Sequence, residues 1–169
     1  MIQLNSFLEY WPSVRTRTRR LIPLIPPDEL EWIPGAGRWS LGDQLRHLAG
    51  IERFMYAETL HGRPSRYPGH GRNIADGLEA VTTWHDRCHA ESMALFKALT
   101  PQQWAGKAVT VAGTPITTWK WARAIVEHEA HHRGQIYMTL GLLGIATPPL
   151  YGLSEEEVAE RSREAPQAP

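Results

Sequence analysis

The sequence contains a single cysteine, Cys88, among its 169 residues. A lone cysteine excludes an internal disulfide framework and a zinc site built from several thiolates. Eighteen lysine and arginine residues are balanced by eighteen aspartate and glutamate residues, so the formal net charge is zero. A neutral chain gives no electrostatic reason to expect nucleic acid or an anionic membrane as a partner.

The chain also lacks a long hydrophobic run and a signal-peptide pattern. No apolar stretch approaches the roughly 20 residues of a membrane-spanning helix, and the start, MIQLNSFLEYW, has no basic region followed by an apolar one. We therefore expect a cytoplasmic protein without a membrane partner. We find no repeat and no second domain, so residues 1–169 are predicted to form one domain, with a core at about 3–155 and a peripheral tail at 156–169.

Apolar residues at helical spacing predict four long helices. We expect them at about residues 3–22, from Ser40 to about 62, from Asn73 to about 99, and from Thr117 or Thr118 to the residue before Gly144. A small β-hairpin is predicted near 107–116, and a short C-terminal helix near 154–164. The predicted fold is all-α, a four-helix bundle with long connections that leave the order of the helices open.

The fourth predicted helix carries His128 and His132 inside its apolar stripe. Side chains four residues apart on a helix are about 5–6 Å from each other, so two imidazoles can bind one ion. Two buried histidines held only by hydrogen bonds are the alternative, but each ring would then need a partner in the core. His47, beside Leu48 and Ile51 on the second helix, is the candidate third ligand. Three neutral histidines would leave coordination positions open, as in catalytic zinc sites.

The remaining histidines are assigned lesser roles. His85 lies on the apolar stripe of the third helix and is predicted to line the same cavity, as a hydrogen-bond partner of a ligand or a proton carrier. A separate metal site of His85 and His89 remains an alternative. His61 and His70 lie near or in a loop rich in glycine and proline and are expected to be exposed, while His131 is expected to face away from His128.

The run H-E-x-x-H that contains the histidine pair also matches a zinc-peptidase motif. One form of that motif needs glycine at position 135 and histidine at 138, where this chain has Gln135 and Met138. The other form needs a downstream glutamate, and the candidates lie in the acidic run 155–157. Glu129, four residues before Arg133, is predicted to form an ion pair on the helix surface, as the arginine-rich stretch 15–20 is predicted to form a solvated face. The peptidase interpretation is therefore disfavoured.

Gly134 follows the histidine pair directly inside the predicted helix. A glycine there costs about 1 kcal/mol relative to alanine. Either another helix or a ligand approaches closely, or the glycine is tolerated on the surface. The sequence leaves both interpretations open.

Three segments together resemble the DinB/YfiT-like family of metal-binding four-helix bundles, which is unrelated to the DNA polymerase of the same name. The segments are GRWSLGDQLRHLAGIERF at 37–54, HEAHHRGQIYMTLGLLGI at 128–145 and the PPLYGL that follows. The most specific part is H-x-x-x-H-R-G-Q at 128–135, together with His47. The resemblance extends over residues 3–155.

The resemblance implies that His47, His128 and His132 hold a divalent ion, zinc or nickel, often in a homodimer. Relatives include thiol-dependent transferases and isomerases that use mycothiol or bacillithiol. We therefore expect a metal-dependent enzyme that activates a thiol or water towards a small-molecule substrate. A non-catalytic metal-binding or stress-response protein is the alternative, and a zinc peptidase is less favoured.

Overall fold

The computed structural model describes residues 3–164, most of which are helical. Its α-helices and β-strands are α1 (Leu4–Arg19), α2 (Leu41–Ile51), α3 (Ala57–Leu60), α4 (Leu78–Lys97), α5 (Pro101–Ala105), β1 (Lys107–Val109), β2 (Pro115–Thr117), α6 (Thr118–Leu142) and α7 (Glu155–Glu164). Two short 3-10 helices, Ile22–Leu24 and Pro27–Glu29, follow α1. A π-helical turn, Glu52–Tyr56, joins α2 to α3. The last part of the predicted tail, 165–169, lies outside the described residues.

The four long helical segments pack as a bundle, as predicted. The segment α2 contacts α4 and α6, and α1 contacts the same two helices. The order around the bundle is therefore α1, α6, α2, α4, which the sequence left open. The predicted hairpin is also confirmed, because β1 and β2 pair antiparallel with Lys107 opposite Thr117. Among residues 3–164, no helix is long and apolar enough to cross a membrane.

Local sequence signals explain most of the helix ends. The hydroxyl of Ser40 accepts from the backbone N–H of Asp43, whose carboxylate accepts from the backbone N–H of Ser40, so α2 begins with a capping box. Gly144 follows the end of α6 with a φ of 73°, the left-handed conformation common after a helix. The predicted start of the third helix at Asn73 is wrong. Gly77, with a φ of 84°, interrupts the helical path, and α4 begins only at Leu78.

The interior contains two apolar clusters with polar side chains between them. On α6, Ile125 belongs to one cluster and Ile136 to the other. We call the residues between the clusters the polar layer. They are Arg15 and Thr18 on α1, His47 on α2, Glu52 on the π-helical turn, His85 and Ser92 on α4, and His128, Glu129, His132 and Arg133 on α6. All four long segments of the bundle contribute to this layer.

A buried ion pair crosses the polar layer from α1 to α6. Nη1 of Arg15 lies 2.7 Å from Oε2 of Glu129, and each side chain is only 2% exposed. Arg15 also faces Glu52, whose Oε1 accepts hydrogen bonds from Nε1 of Trp11 at 2.8 Å and from Nδ1 of His89 at 2.9 Å. Burial alone would raise the pKa of the Glu52 carboxyl, but the Arg15 guanidinium and these hydrogen bonds hold it below its usual value.

Two predictions about surface charges are therefore wrong. They are the surface ion pair of Glu129 with Arg133 and the exposure of Arg15 in the arginine-rich stretch. Glu129 does not form a surface pair with Arg133, because it is buried against Arg15. The guanidinium of Arg133 is also buried and donates to the backbone carbonyl of Val14 at 3.3 Å. Within the stretch 15–20, Arg15 points into the core. The spacing rule for helix-surface pairs sees only partners on the same helix, whereas Glu129 has its partner 114 positions away.

We predict that Glu129→Gln lowers the free energy of unfolding of the metal-free protein by about 3 kcal/mol, the typical cost of breaking a buried ion pair. The substitution would leave Arg15 with a single buried carboxylate. Denaturant unfolding of metal-free protein measures this loss. Glu127→Gln is the matched control, because exposed Glu127 pairs with exposed Arg123 and should change stability by less than about 0.5 kcal/mol. Equal effects of the two substitutions would contradict the buried role of Glu129.

Candidate metal centre

Three histidines from two helices converge at one end of the polar layer. One ring nitrogen from each of His47, His128 and His132 lies within 4.8 Å of the other two. Nε2 of His47 is 3.0 Å from Nε2 of His128. The ring centroids of the three side chains are 4.7 to 4.9 Å apart. Among residues 3–164, these form the one group of three histidine, cysteine or acidic side chains placed to hold a metal ion.

Helix geometry places each ring. His128 and His132 are one turn apart on α6 and therefore project from the same side of it. Since α2 packs against α6, His47 can reach both. Each of the three histidines lies at least one full turn inside its helix, so the backbone that carries the rings is held by regular hydrogen bonds and not by a loop.

Burial keeps the three imidazoles neutral. It lowers the pKa of His47 to about 3, and the neighbouring His128 adds to the effect. Burial likewise lowers the pKa of His128 to about 4 and that of His132 to about 4. A neutral imidazole has a free lone pair on one ring nitrogen, which is the form that binds a metal.

An outer set of aromatic groups orients the ligands, and sequence reasoning missed it. Nδ1 of His47 and the hydroxyl of Tyr67 are 2.6 Å apart. When Nδ1–H donates to Tyr67, the lone pair of Nε2 is directed at the site, as in many metal-bound histidines. Trp39 stacks on His132 at 5.7 Å and meets His47 edge-on at 4.9 Å. His70 in turn stacks on Trp39, with the two ring centroids 4.1 Å apart.

The donor set fits a divalent transition metal. Two imidazole nitrogens bound to zinc at about 2.0–2.1 Å in tetrahedral geometry are about 3.3 Å apart, close to the 3.0 Å between His47 and His128. Nδ1 of His132 is buried without a hydrogen-bond partner among the described residues, and such an orphaned polar atom is costly. Three nitrogens leave a tetrahedral ion with one open position, which a thiol, water or substrate can take.

The other histidines are elsewhere. His85 lies between α1 and α4 beside Asp86, 3.5 Å away, and makes no hydrogen bond, ion pair or ring contact with the three clustered histidines. The predicted place of His85 beside the ligands is therefore not observed. His89 is hydrogen-bonded to Glu52. The alternative site of His85 and His89 has no third ligand in residues 3–164.

The expected exposure of His61 and His70 is wrong in both cases. His61 donates from Nε2 to the carbonyl of Leu95 at 2.8 Å, and His70 is half-buried against Trp39. Composition predicted loops correctly here, but it cannot show how a loop folds back on the helices. His131 is exposed, as expected.

The geometry of the site does not support the peptidase interpretation. A peptidase glutamate must act as a base beside the metal, whereas Glu129 is held by Arg15 in the interior. The acidic run 155–157 is exposed on α7 and is absent from the group of possible ligands.

A cavity of about 250 Å³ adjoins His132. It lies between the segment 34–39, α2 and α6. Its lining includes Trp39 and Gln44. Of the three clustered histidines, His132 is the one that the cavity reaches, so a small molecule can approach the cluster from that side.

We predict that His47→Ala, His128→Ala and His132→Ala each abolish stoichiometric binding of a divalent metal, because two imidazoles alone make a weak site. Tyr67→Phe should weaken affinity by about tenfold, since it removes only the partner that orients His47. Elemental analysis of untagged protein and competition with a chromogenic chelator measure these changes. His131→Ala is the matched control and should bind one equivalent. Loss of metal in that variant would contradict the assignment.

We also predict that acid destabilises the metal-free protein before any carboxylate titrates. In the unfolded chain, histidines take up protons near pH 6.5, whereas His47, His85, His128 and His132 stay neutral in the fold down to pH values of about 3 to 4. The unfolded state therefore gains protons first, and the free energy of unfolding falls as the pH drops from 6.5 towards 4.

Melting temperatures measured between pH 7.5 and 5.0 test this prediction. The wild-type chain should show this decline, and His132→Ala should show a shallower one, because one buried neutral imidazole is then missing. A melting temperature that does not change over this range would mean that the histidines are not buried in neutral form.

Comparison with known proteins agrees with the fold. The model of the DinB family matches residues 1–166. The chain is 24% identical to the uncharacterized protein YrdA of Bacillus subtilis (strain 168) over 170 residues, which cover 96% of each chain.

Solved structures give the same result. The chain is similar to a DinB-like protein from Bacillus cereus ATCC 10987, with a TM-score of 0.72 and 15% identity over 86% of this chain and 95% of that one. It is also similar to a mycothiol-dependent maleylpyruvate isomerase, with a TM-score of 0.66 and 14% identity over 80% of this chain and 61% of that one. Because the family model matches nearly the whole sequence, this four-helix bundle with its three clustered histidines belongs to the DinB family.

Proposed function

We propose that the protein is a metal-dependent enzyme that activates a low-molecular-weight thiol. The activated thiol is transferred to a small electrophilic substrate or adds to it and so brings about its isomerisation. The observation that carries the proposal is the convergence of His47, His128 and His132 beside a cavity open to solvent. A closed structural site has four protein ligands. Three ligands and an open cavity suit a site at which substrate binds.

A bound divalent ion lowers the pKa of a coordinated thiol or water and so provides a nucleophile near neutral pH. The chain's own residues supply the setting. The three neutral imidazoles add no charge, so the ion would keep its full charge. Tyr67 fixes the orientation of His47. Trp39 packs against the rings of His47 and His132.

The nucleophile has to come from outside the chain. The only cysteine, Cys88, is 1% exposed, and burial raises the pKa of its thiol to about 12. It is therefore protonated at neutral pH and out of reach of a substrate. A diffusible thiol entering the open cavity avoids both obstacles. The similarity in fold to an isomerase that uses mycothiol supports a thiol in this role.

Two other functions make different demands on the site. A non-catalytic metal-binding or stress-response protein needs the three histidines but has no use for an open cavity beside them. A zinc peptidase needs a free glutamate, which the ion pair of Glu129 with Arg15 does not leave. The cavity favours the enzyme over the first alternative, and the buried ion pair disfavours the second.

We predict metal-dependent consumption of a thiol by an electrophile. Zinc- or nickel-loaded protein would be mixed with mycothiol, bacillithiol, cysteine or glutathione and with 1-chloro-2,4-dinitrobenzene, and S-conjugation followed by absorbance. Activity should vanish after chelation and in His128→Ala. It should persist in Cys88→Ala, because that thiol takes no part in the reaction.

Each alternative has its own result in this assay. Full metal binding without conjugation of any thiol in the panel would favour the non-catalytic protein. Loss of activity in a Cys88→Ala variant that still folds and binds metal would contradict the external thiol. Cleavage of casein by the metal-loaded protein would support the peptidase interpretation.

A further inference from the structure

We infer that the cavity beside His132 binds a small molecule through a carboxylate group, with Arg38 at its mouth and Gln44 on its wall. The inference deepens the proposed function by naming the chemical class of ligand, and it rests on that function only for the identity of the reacting group. The contacts that carry it belong to the cavity and not to the metal.

Arg38 is an exposed cation that lines the cavity and has no side-chain partner in the described part of the chain. Its guanidinium makes no hydrogen bond, ion pair or ring contact with any of the residues 3–164. Other arginines near α2 are engaged, since Arg46 pairs with Glu31 and Asp43, and Arg53 pairs with Glu58 and Glu91. Guanidinium binds carboxylate through two parallel hydrogen bonds.

The charge of the cavity selects for an anion. None of the described residues that line it is aspartate or glutamate, while Arg38 contributes a positive charge. The clustered histidines are neutral, so a divalent ion held by them would add two further positive charges at the inner end. A ligand with a negative group at each end, a carboxylate outside and a thiolate or another metal-binding group inside, matches this distribution.

Gln44 offers a second polar contact deeper in the cavity. Its side chain is 3% exposed, and its Oε1 is buried without a hydrogen-bond partner among the described residues. A buried carbonyl oxygen without a donor is costly. Oε1 itself is closed off from the cavity, but the amide NH2 group of Gln44 makes no hydrogen bond with the described residues and would donate to an acceptor in the middle of the molecule.

Size and apolar lining limit the ligand further. A cavity of about 150 Å³ holds benzene, so 250 Å³ holds roughly ten non-hydrogen atoms on the same scale. Pro34, Trp39 and Met138 form apolar walls against which a short carbon chain can pack. The carboxylate can belong to the thiol or to the electrophile, and binding experiments distinguish the two.

The first experiment compares 3-mercaptopropionate with its neutral analogue 3-mercapto-1-propanol on zinc-loaded protein. The indole N–H signal of Trp39, assigned with a Trp39→Phe variant, reports binding in proton–nitrogen NMR titrations. We expect the acid to bind about fivefold more tightly, the upper range for a solvent-exposed ion pair. Arg38→Gln should remove that preference. Equal affinities, or a preference that survives Arg38→Gln, would overturn the inference.

Arg123→Gln is the matched control. It makes the same charge change at an exposed position on α6, fifteen residues and therefore about 22 Å from Met138. The preference for the acid should be unchanged in this variant. If Arg123→Gln removes the preference as fully as Arg38→Gln, the effect comes from net charge, and the cavity is not the binding site.

A second pair of probes separates this inference from the proposed function. Butyrate and butyramide would be titrated into metal-free protein, where no metal-bound thiol can form. Preference for butyrate that depends on Arg38 supports the carboxylate site even if zinc does not bind and the proposed function fails. Absence of any such preference in both the metal-free and the zinc-loaded protein overturns the inference and leaves the proposed function standing.

A competition experiment identifies the source of the carboxylate. Butyrate would be titrated into zinc-loaded protein saturated with 3-mercapto-1-propanol. Continued Arg38-dependent binding assigns the carboxylate to the second substrate. Displacement of butyrate by the neutral thiol assigns the position to the thiol itself. Both results retain the carboxylate site at Arg38.

Discussion

The buried ion pair between Arg15 and Glu129 is the contact on which the arrangement of the site depends. Successive residues on a helix are rotated by about 100°, so Glu129 projects roughly at right angles to its neighbour His128. Arg15 on α1 lies 2.7 Å from Glu129, and this contact fixes the rotation of α6 about its own axis. In that rotation, His128 and His132 face α2. The order of helices around the bundle, with α6 between α1 and α2, makes both contacts possible at once. One helix thus presents a structural carboxylate to one neighbour and two potential metal ligands to the other.

The same polar layer explains why the site has its chemical character. Apolar clusters above and below it exclude water from the rings and keep the histidines neutral, while the segment before α2 leaves a cavity on one side. Neutral nitrogen donors, an open position and access for a small molecule are the requirements for metal-assisted activation of a thiol. Burial does not activate the protein's own thiol, Cys88, because it raises the pKa of that thiol to about 12.

The fold and the three histidines were predictable from the sequence because both depend on local periodicity. Apolar residues every three to four positions marked the helices, and the spacing of His128 and His132 marked the pair. Tyr67, Trp39 and His70 were not predictable, since they reach the site from connecting segments whose path no periodicity encodes. Glu129 was assigned the wrong partner for a related reason, because spacing rules see Arg133 and not Arg15. A Cβ at Gly134 would have nothing within 4 Å, so the interpretation that another helix packs closely there is wrong among the described residues. The homodimer stays a prediction.

X-ray absorption at the zinc edge tests the central claim most directly, because it reports the ligands of the ion without altering the chain. We predict three imidazole nitrogens at about 2.0–2.1 Å, with the remaining position filled by the oxygen of a water molecule. On addition of 3-mercaptopropionate, one sulfur should appear at about 2.3 Å while the three imidazoles remain. A spectrum with fewer than three imidazoles would contradict the account.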